Sequence, residues 1–359
     1  MTKKHIWFVV LSSIIIGGIS GWLIMRFVMP ELNTVGILRR YNLNPVSAPL
    51  VINTREEIRV NEGSDSVAAI KNVKPWMVSI LAGSDLNNVR VLGSGLVLTS
   101  DGLIATTKGA LGQSPVYYVS FTDGRVMAAS EQAADPSSDL VLIKVEANNL
   151  ATAVLGIPKD LQLGQRIIVL SSSLGQYQAT DTVSYLSSEL RNVRTDQIFS
   201  TERMNLTFGV DEITSAQEGS LAVSLDAQVQ GLFSKNGVIT AETIRSALNS
   251  YFANKKIVRN NIGLYYQNIS KASSNLFNIP EGVIIKRPNP GTAAVVPLSP
   301  AQTAGLKEGD YITKVDNQQI NFDNSFEELL QRKTPGASVP LTVLRNGQTL
   351  ELNLLIGSR

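Results

Sequence analysis

The chain of 359 residues contains no cysteine and a single histidine. Without cysteine there is no disulfide, no thiolate nucleophile and no Cys-built zinc or iron–sulfur site, and one imidazole leaves few soft ligands, so neither a metal nor a cofactor is expected. The lone histidine, His5, lies ahead of a long apolar run. A Ser-His-Asp hydrolase in the body that follows is therefore excluded, because a helix crossing ~30 Å of hydrocarbon keeps that imidazole out of reach. Charge of one sign is also lacking. Lys and Arg total 32 against 30 Asp and Glu, a net +2 that offers nucleic acid no electrostatic footprint, so no nucleic-acid partner is expected. What is present, 43% hydrophobic and 17% charged residues, is the make-up of a folded chain with room for two or three domains.

From Ile6 to Met25 no charged residue occurs, and Lys3, Lys4 and His5 stand on one side with Arg26 on the other. Such a run suits a membrane of ~30 Å hydrocarbon thickness. A cleaved secretory signal is the competing reading, but its apolar core is shorter and ends in small residues, which Met25-Arg26-Phe27-Val28-Met29-Pro30 does not provide. The expected layout is a cytoplasmic head over 1–5, a single transmembrane anchor over 6–28 in a cell membrane, and an extracytoplasmic remainder. Arg26, Arg39 and Arg40 balance Lys3 and Lys4, so the orientation rests on the shortness of the head. Ser13, Gly17 and Gly21 read either as a small-residue stripe along which helices can approach or as the ordinary frequency of glycine in membrane helices. Residues 29–66, with Pro30, Pro45 and Pro49 and no sustained period, read as a linker.

Between residues 67 and 255 short apolar runs alternate with turn residues: Met77–Leu81, Leu96–Leu98, Val116–Phe121, Leu140–Val145, Ile167–Leu170 and Val229–Leu232. That spacing is all-β, and the amphipathic helices a parallel α/β sheet needs between its strands are missing. The first helix expected after Val67 follows Thr240, a suitable N-cap, with Ile244, Leu248 and Phe252 along one face. Residues 256–359 form a separate region. It holds a helix from Asn324 to about Arg332, with Phe326, Leu329 and Leu330 as its apolar stripe, and a hairpin turning at Arg345-Asn346-Gly347-Gln348.

Four segments carry a resemblance. Leu92-Gly93-Ser94-Gly95-Leu96-Val97-Leu98 followed by Asp101-Gly102-Leu103-Ile104 resembles the opening of the HtrA (DegS-like) family of chymotrypsin-like serine proteases. Asp135-Pro136-Ser137-Ser138-Asp139-Leu140 is similar to the family segment that holds the triad acid. Lys256-Ile257-Val258-Arg259-Asn260-Asn261-Ile262-Gly263-Leu264 resembles the junction into its PDZ domain. Ser299-Pro300-Ala301-Gln302-Thr303-Ala304-Gly305-Leu306-Lys307-Glu308-Gly309-Asp310 is very like a PDZ signature of the family. The resemblance implies a mainly β chain: a chymotrypsin-like double β-barrel followed by a C-terminal PDZ domain, with an N-terminal transmembrane helix. It also implies a homotrimer, or a mixed trimer with an active relative.

The pattern breaks at the chemistry. Thr106-Thr107-Lys108-Gly109-Ala110-Leu111 puts Gly109 where the family has its histidine. Asp139 matches the acid and Ser220 is the nearest candidate for the nucleophile, both as degenerate remnants. Aligning instead on Leu225-Asp226 puts Glu218 at the nucleophile position, where its carboxylate would oppose an oxyanion. Serine without a base is a poor nucleophile. Lys108 is the one alternative base nearby, and a solvated loop lysine is the plainer reading of it. The PDZ half keeps its parts. The resemblance assigns Asn261, Ile262, Gly263 and Leu264 to a carboxylate-binding loop, with a side-chain pocket between that strand and the helix bearing Phe326 and Leu330. The expected function is a membrane-anchored pseudoprotease that binds C-terminal peptides of unfolded or partner proteins in extracytoplasmic quality control or stress sensing. An active endopeptidase with a non-histidine base, and a purely architectural subunit, are the alternatives.

Overall fold

A computed structural model describes residues 3–28, 62–83, 88–112, 116–173, 176–188, 197–204, 207–211, 217–321 and 324–359. The chain divides into two units, 1–60 and 61–359. In the first, helix α1 (Lys3–Leu23) runs into a short π-helical turn over Ile24–Val28. Apolar side chains surround its axis, with Trp7 and Phe8 each 74% exposed. The hydroxyls of Ser13 and Ser20 donate back to the carbonyls of Val9 and Ile16, so these polar groups need no outside partner. No helix among the described residues is long and apolar enough to cross a membrane. The fully described part of α1, from Trp7 to Leu23, stands at the short edge of the ~17–25 residues a span requires. Most of the expected linker, residues 29–61, lies outside the described residues.

The second unit begins earlier than the sequence suggested, with helix α2 (Glu62–Val73). It was hidden because small residues do its packing: Ser66, Ala69 and Val73 are buried, a pattern with little hydrophobic periodicity. A closed six-stranded barrel follows, built from β1 (Met77–Ala82), β2 (Arg90–Val97), β3 (Leu103–Thr107), β4 (Tyr117–Phe121), β5 (Val126–Ala134) and β6 (Leu140–Val145) in the order β1-β2-β3-β6-β5-β4. A one-turn helix, α3 (Lys108–Leu111), sits between β3 and β4. The next sheet holds β7 (Arg166–Ser173), β8 (Gln176–Ser188), β10 (Gly209–Val210), β11 (Leu221–Ser224), β12 (Val229–Ser234) and β13 (Gly237–Thr240), ordered β10-β8-β7-β11-β12-β13. The intervening strand β9 (Ile198–Ser200) belongs to neither.

Strand alternation explains why β1, β3, β7 and β11 contain almost nothing but buried residues. Val78, Ile80, Ile104, Val141 and Ile143 point into the first barrel, whereas Met77, Leu103, Ala105, Leu140 and Leu142 point the other way and meet Ile168, Leu170, Leu221 and Val223 of the second sheet. Two apolar faces per strand thus fill two cores, each full side-chain burial contributing about 1.5–3 kcal/mol. Buried serines cross the same seam, Ser79 Oγ lying 2.9 Å from Ser172 Oγ, and the Ser172 N–H donating to Ser94 Oγ at 2.8 Å.

Helix α4 (Ala241–Asn254) is capped by Thr240, whose Oγ1 accepts from the Thr243 N–H, as its sequence predicts. Its buried face turns out to be Ile244 and Ala247 with Leu248 and Tyr251 beside them, while Phe252 is 53% exposed. Four-residue steps advance about 40° beyond a full turn, so the third member of the expected stripe has rotated off the face.

The last region carries β14 (Asn260–Asn261), β15 (Tyr265–Ile269), α5 (Lys271–Phe277), β16 (Gly282–Ile285), α6 (Pro300–Thr303), β17 (Tyr311–Val315), β18 (Gln318–Gln319), α7 (Phe326–Gln331), β19 (Ser338–Arg345), β20 (Gln348–Leu355) and β21 (Gly357–Ser358). Ser325 caps α7, whose first residue, Phe326, lies two residues inside the expected start at Asn324. The hairpin forms as read, with Arg345 opposite Gln348 and positive φ at Asn346 and Gly347. Its sheet runs β20-β19-β17-β16-β15-β9, so the outermost strand is supplied from the protease-like part of the chain.

Candidate functional site

The loops that the resemblance makes catalytic do converge. Thr107 ends β3 and caps α3, its Oγ1 accepting from the Ala110 N–H at 3.2 Å. This presents Gly109 at the surface. The Lys108 N–H donates to the Asp139 carbonyl at 2.7 Å, tying the glycine loop to the acid's turn, and the Asp139 carboxylate accepts from Asn236 Nδ2 at 2.6 Å. The third loop arrives with Glu218. A Cβ placed on Gly109 would lie 2.3 Å from Cδ of Glu218 and 2.6 and 2.7 Å from its two oxygens, the three nearest atoms all belonging to that side chain. Thr107 Oγ1 donates to Glu218 Oε2 at 2.6 Å and the Lys235 N–H to Oε1 at 2.9 Å. The volume a side chain at position 109 would need is filled by a carboxylate held on two sides.

Ser220, the remnant nucleophile by one alignment, faces elsewhere. It is fully buried, and its Oγ lies 2.9 Å from Ser171 Oγ on β7. Of the two side chains the sequence put forward, Glu218 is the one against Gly109. The turn between them requires glycine: Gly219 has φ +76°, and a Cβ there would come within 1.9 Å of the Ser94 carbonyl oxygen. Nor do the backbone donors of this turn await an anion, since the Gly219 N–H bonds to the Phe233 carbonyl at 2.8 Å and the Ser220 N–H to that of Gln217 at 3.0 Å. Lys108 Nζ donates to the carbonyls of Asp135 and Ser138, at 2.9 and 2.7 Å, which holds the side chain against the acid's turn. The arrangement sets the Glu218 carboxylate and the Thr107 hydroxyl against the glycine, while Ser220 Oγ has the Ser171 hydroxyl as its partner.

The second site lies at the start of β15. Gly263 has φ +81° and a Cβ there would sit 2.3 Å from that of Ser299, so glycine lets the loop pass close to the Ser299 turn and aims successive N–H groups outward. Those groups are engaged by the chain itself. The Ile262 and Gly263 N–H groups donate to Glu202 Oε1 at 3.0 and 2.8 Å, and the Leu264 N–H to Thr201 Oγ1 at 3.0 Å. Next to them β9 pairs antiparallel with β15, Ser200 opposite Tyr265, Phe199 opposite Tyr266 and Ile198 opposite Gln267. Phe199 is 8% exposed, its ring 5.9 Å from that of Tyr266, which meets Phe326 edge-on at 5.1 Å. Phe326 and Leu330, expected to line an open pocket, are core residues beneath this contact. Asn261 stands apart from it, paired with Gly357 of β21. Neither Phe199 nor Glu202 was singled out from the sequence, since the stretch around them carries no motif.

Among the described residues three ion pairs join the halves, Asp135–Arg259, Lys159–Glu328 and Glu202–Arg359. Asp135 and Arg259, each from a segment that carries the resemblance, meet in a fork: Arg259 Nε lies 3.1 Å from both carboxylate oxygens and Nη2 2.6 Å from Oδ2. Burial pushes the Asp135 carboxyl up, but the hydrogen bonds and charge of Arg259, the Ser137 N–H and the Ser138 hydroxyl hold it below its ordinary value. At α7, burial likewise raises Glu328, and Lys159 and Arg332 outweigh it, leaving the carboxyl below the usual range. Lys159 comes from the turn before β7, so this pair too spans the two halves.

Two family models match in series, a trypsin-like peptidase domain over residues 93–241 and a PDZ domain over 261–356. The serine endoprotease DegS of Haemophilus influenzae is 25% identical over 94% of this chain and 95% of its own. A probable periplasmic serine endoprotease, DegP-like, of Halomonas elongata is 27% identical over 75% of this chain and 56% of its own, so the chain spans little more than half the length of that relative. Among solved structures, an HtrA-type protease AlgW with a decapeptide superposes with a TM-score of 0.60 at 19% identity, covering 82% of this chain and 98% of that one, a likeness of fold.

Proposed function

The chain belongs to the HtrA/DegS-like family, a trypsin-like peptidase domain followed by a PDZ domain, and we propose that it is a pseudoprotease of that family whose retained activity is binding peptide C-termini. The observation that carries this reading is the Glu218 carboxylate packed against Gly109, where the family places its base. Proton abstraction from a serine requires an acceptor within hydrogen-bond reach. Ser220 is instead paired with Ser171, and Lys108 is bound to two carbonyls. Asp139 is retained as an acceptor for Asn236 and as a brace for the glycine loop.

The reading extends to place and partners. Anchorage in a cell membrane through residues 6–28, with the second unit outside the cytoplasm in protein quality control or stress sensing, is supported by the charge-free run Ile6–Met25 and by the internally bonded hydroxyls of Ser13 and Ser20, not by the length of the described helix. The partners are exposed C-termini of unfolded or associated proteins, recognised by strand addition at β15 and the N–H groups of the Ile262–Leu264 loop. A homotrimer or mixed trimer follows from family membership alone.

Purified full-length protein is to be incubated with unfolded casein and with a serine-reactive fluorophosphonate. We expect no cleavage and no label. Turnover abolished by Ser220→Ala would overturn the pseudoprotease reading in favour of an endopeptidase with another base. Anchorage is checked by alkaline extraction of membranes, from which an anchored chain stays in the pellet.

A further inference from the structure

The PDZ groove already holds a peptide, and it is the protein's own. Residues 198–202 add to the edge of β15 in the antiparallel sense. They then deliver a carboxylate, that of Glu202, to the loop N–H groups of Ile262 and Gly263. Thr201 completes the mimicry: its N–H donates to the Leu264 carbonyl at 3.0 Å and its hydroxyl receives the Leu264 N–H. Alternation along a strand puts Phe199 on the same face as Thr201, and Phe199 is the residue packed on Tyr266. Strand pairing, a carboxylate on the backbone donors and an anchoring side chain are the three elements of recognition by strand addition. Arg359, on the other side, pairs with the second Glu202 oxygen at 3.3 Å and also donates to the Glu202 carbonyl and to Ser137 Oγ, which fixes the segment from behind.

We propose that Ile198–Glu202 is a built-in competitor, the Glu202 side chain standing in for a ligand's terminal carboxylate, and that a partner's C-terminal segment binds the PDZ groove by displacing it. This rests on the reading of the PDZ domain as a peptide binder and adds its regulation. The competitor belongs to the protease-like part of the chain, between β8 and β10, so ligand binding releases a strand of that part rather than merely filling a hole. Because the competitor is tethered, it acts at a high effective concentration, and the apparent affinity for an external peptide falls by the fraction of molecules in which the groove is vacated.

The chain supplies the probe. A fluorescent peptide Gln-Ile-Phe-Ser-Thr with a free carboxylate, copying residues 197–201, and its C-terminally amidated form are titrated by anisotropy onto the full chain, wild type and the variants Glu202→Gln, Glu202→Ala and Phe199→Ala. The carboxylate peptide is expected to bind Glu202→Ala and Phe199→Ala at least about 10-fold more tightly than wild type, with Glu202→Gln between, and the amide to bind none of them. Amide exchange gives an independent readout that needs no variant: saturating peptide should remove protection at residues 198–200 of the wild type. Equal affinity for wild type and the Glu202 variants, with protection at 198–200 unchanged by bound peptide, overturns the competitor while leaving peptide recognition intact. Absence of binding of any free-carboxylate peptide from a random C-terminal library, in variants whose far-ultraviolet circular dichroism matches wild type, overturns peptide recognition itself and the competitor with it.

Discussion

Replacing Asp135 by Asn keeps the shape of the side chain and removes its charge, which isolates the term holding the two halves together at Arg259. Asp135 is fully buried and the Arg259 side chain is 8% exposed. The guanidinium has its other donors on Ser246 Oγ and the Thr243 carbonyl, so it cannot swing out to water without breaking those bonds. Removing one partner of such a pair leaves an uncompensated buried charge, and the loss should be about 3–5 kcal/mol. That is a large share of a stability that for single domains runs about 5–15 kcal/mol. The sign with pH follows from the Asp135 carboxyl lying below its ordinary value of about 3.9. The stabilisation is complete above the unfolded-state value and is lost as pH falls through the lower folded-state value. The difference between wild type and Asp135→Asn should therefore be flat above about pH 5 and shrink below about pH 4. Urea unfolding of the full chain, followed by the fluorescence of Trp76, which packs against the core between the two sheets, measures it. A difference under about 1 kcal/mol at pH 7, or one of the same size at pH 7 and pH 3, would refute the reasoning.

Gly109→Ala should destabilise by about 1–3 kcal/mol through the Glu218 carboxylate, and Glu218→Ala should relieve most of that loss, a coupling read from a double-mutant cycle in urea. Phe326→Ala, which empties a fully buried site under Tyr266, should cost about 3–5 kcal/mol in the same assay. Gly263→Ala meets both a positive φ and Ser299; it should lower the melting temperature and weaken binding of the carboxylate peptide, seen by calorimetry and anisotropy.

Much of the architecture was legible because it rests on local rules. The Asn346-Gly347 turn, the Thr240 cap and the alternating apolar runs are short-range signals, and each marks its element correctly. Helix α2 escaped because Ser66 and Ala69 pack without a hydrophobic signature. At the candidate site the departure from the family pattern was legible at Gly109, yet the choice between Ser220 and Glu218 was not. It depends on which side chain reaches across to β3 and α3, more than one hundred residues away in the chain.

Composition and motif order alone determined that this chain carries no imidazole in its body, that its cores are β-built, and that a segment resembling a PDZ signature follows the β-rich part. These follow from residue identity and spacing, which folding cannot alter. Only the tertiary structure decided what occupies the two sites. Glu218 fills the place beside Gly109, Glu202 and Phe199 fill the PDZ groove, and Asp135 finds Arg259. Each pairing joins residues far apart in sequence, and a carboxylate takes whichever hydrogen-bond donors the fold brings within about 3 Å.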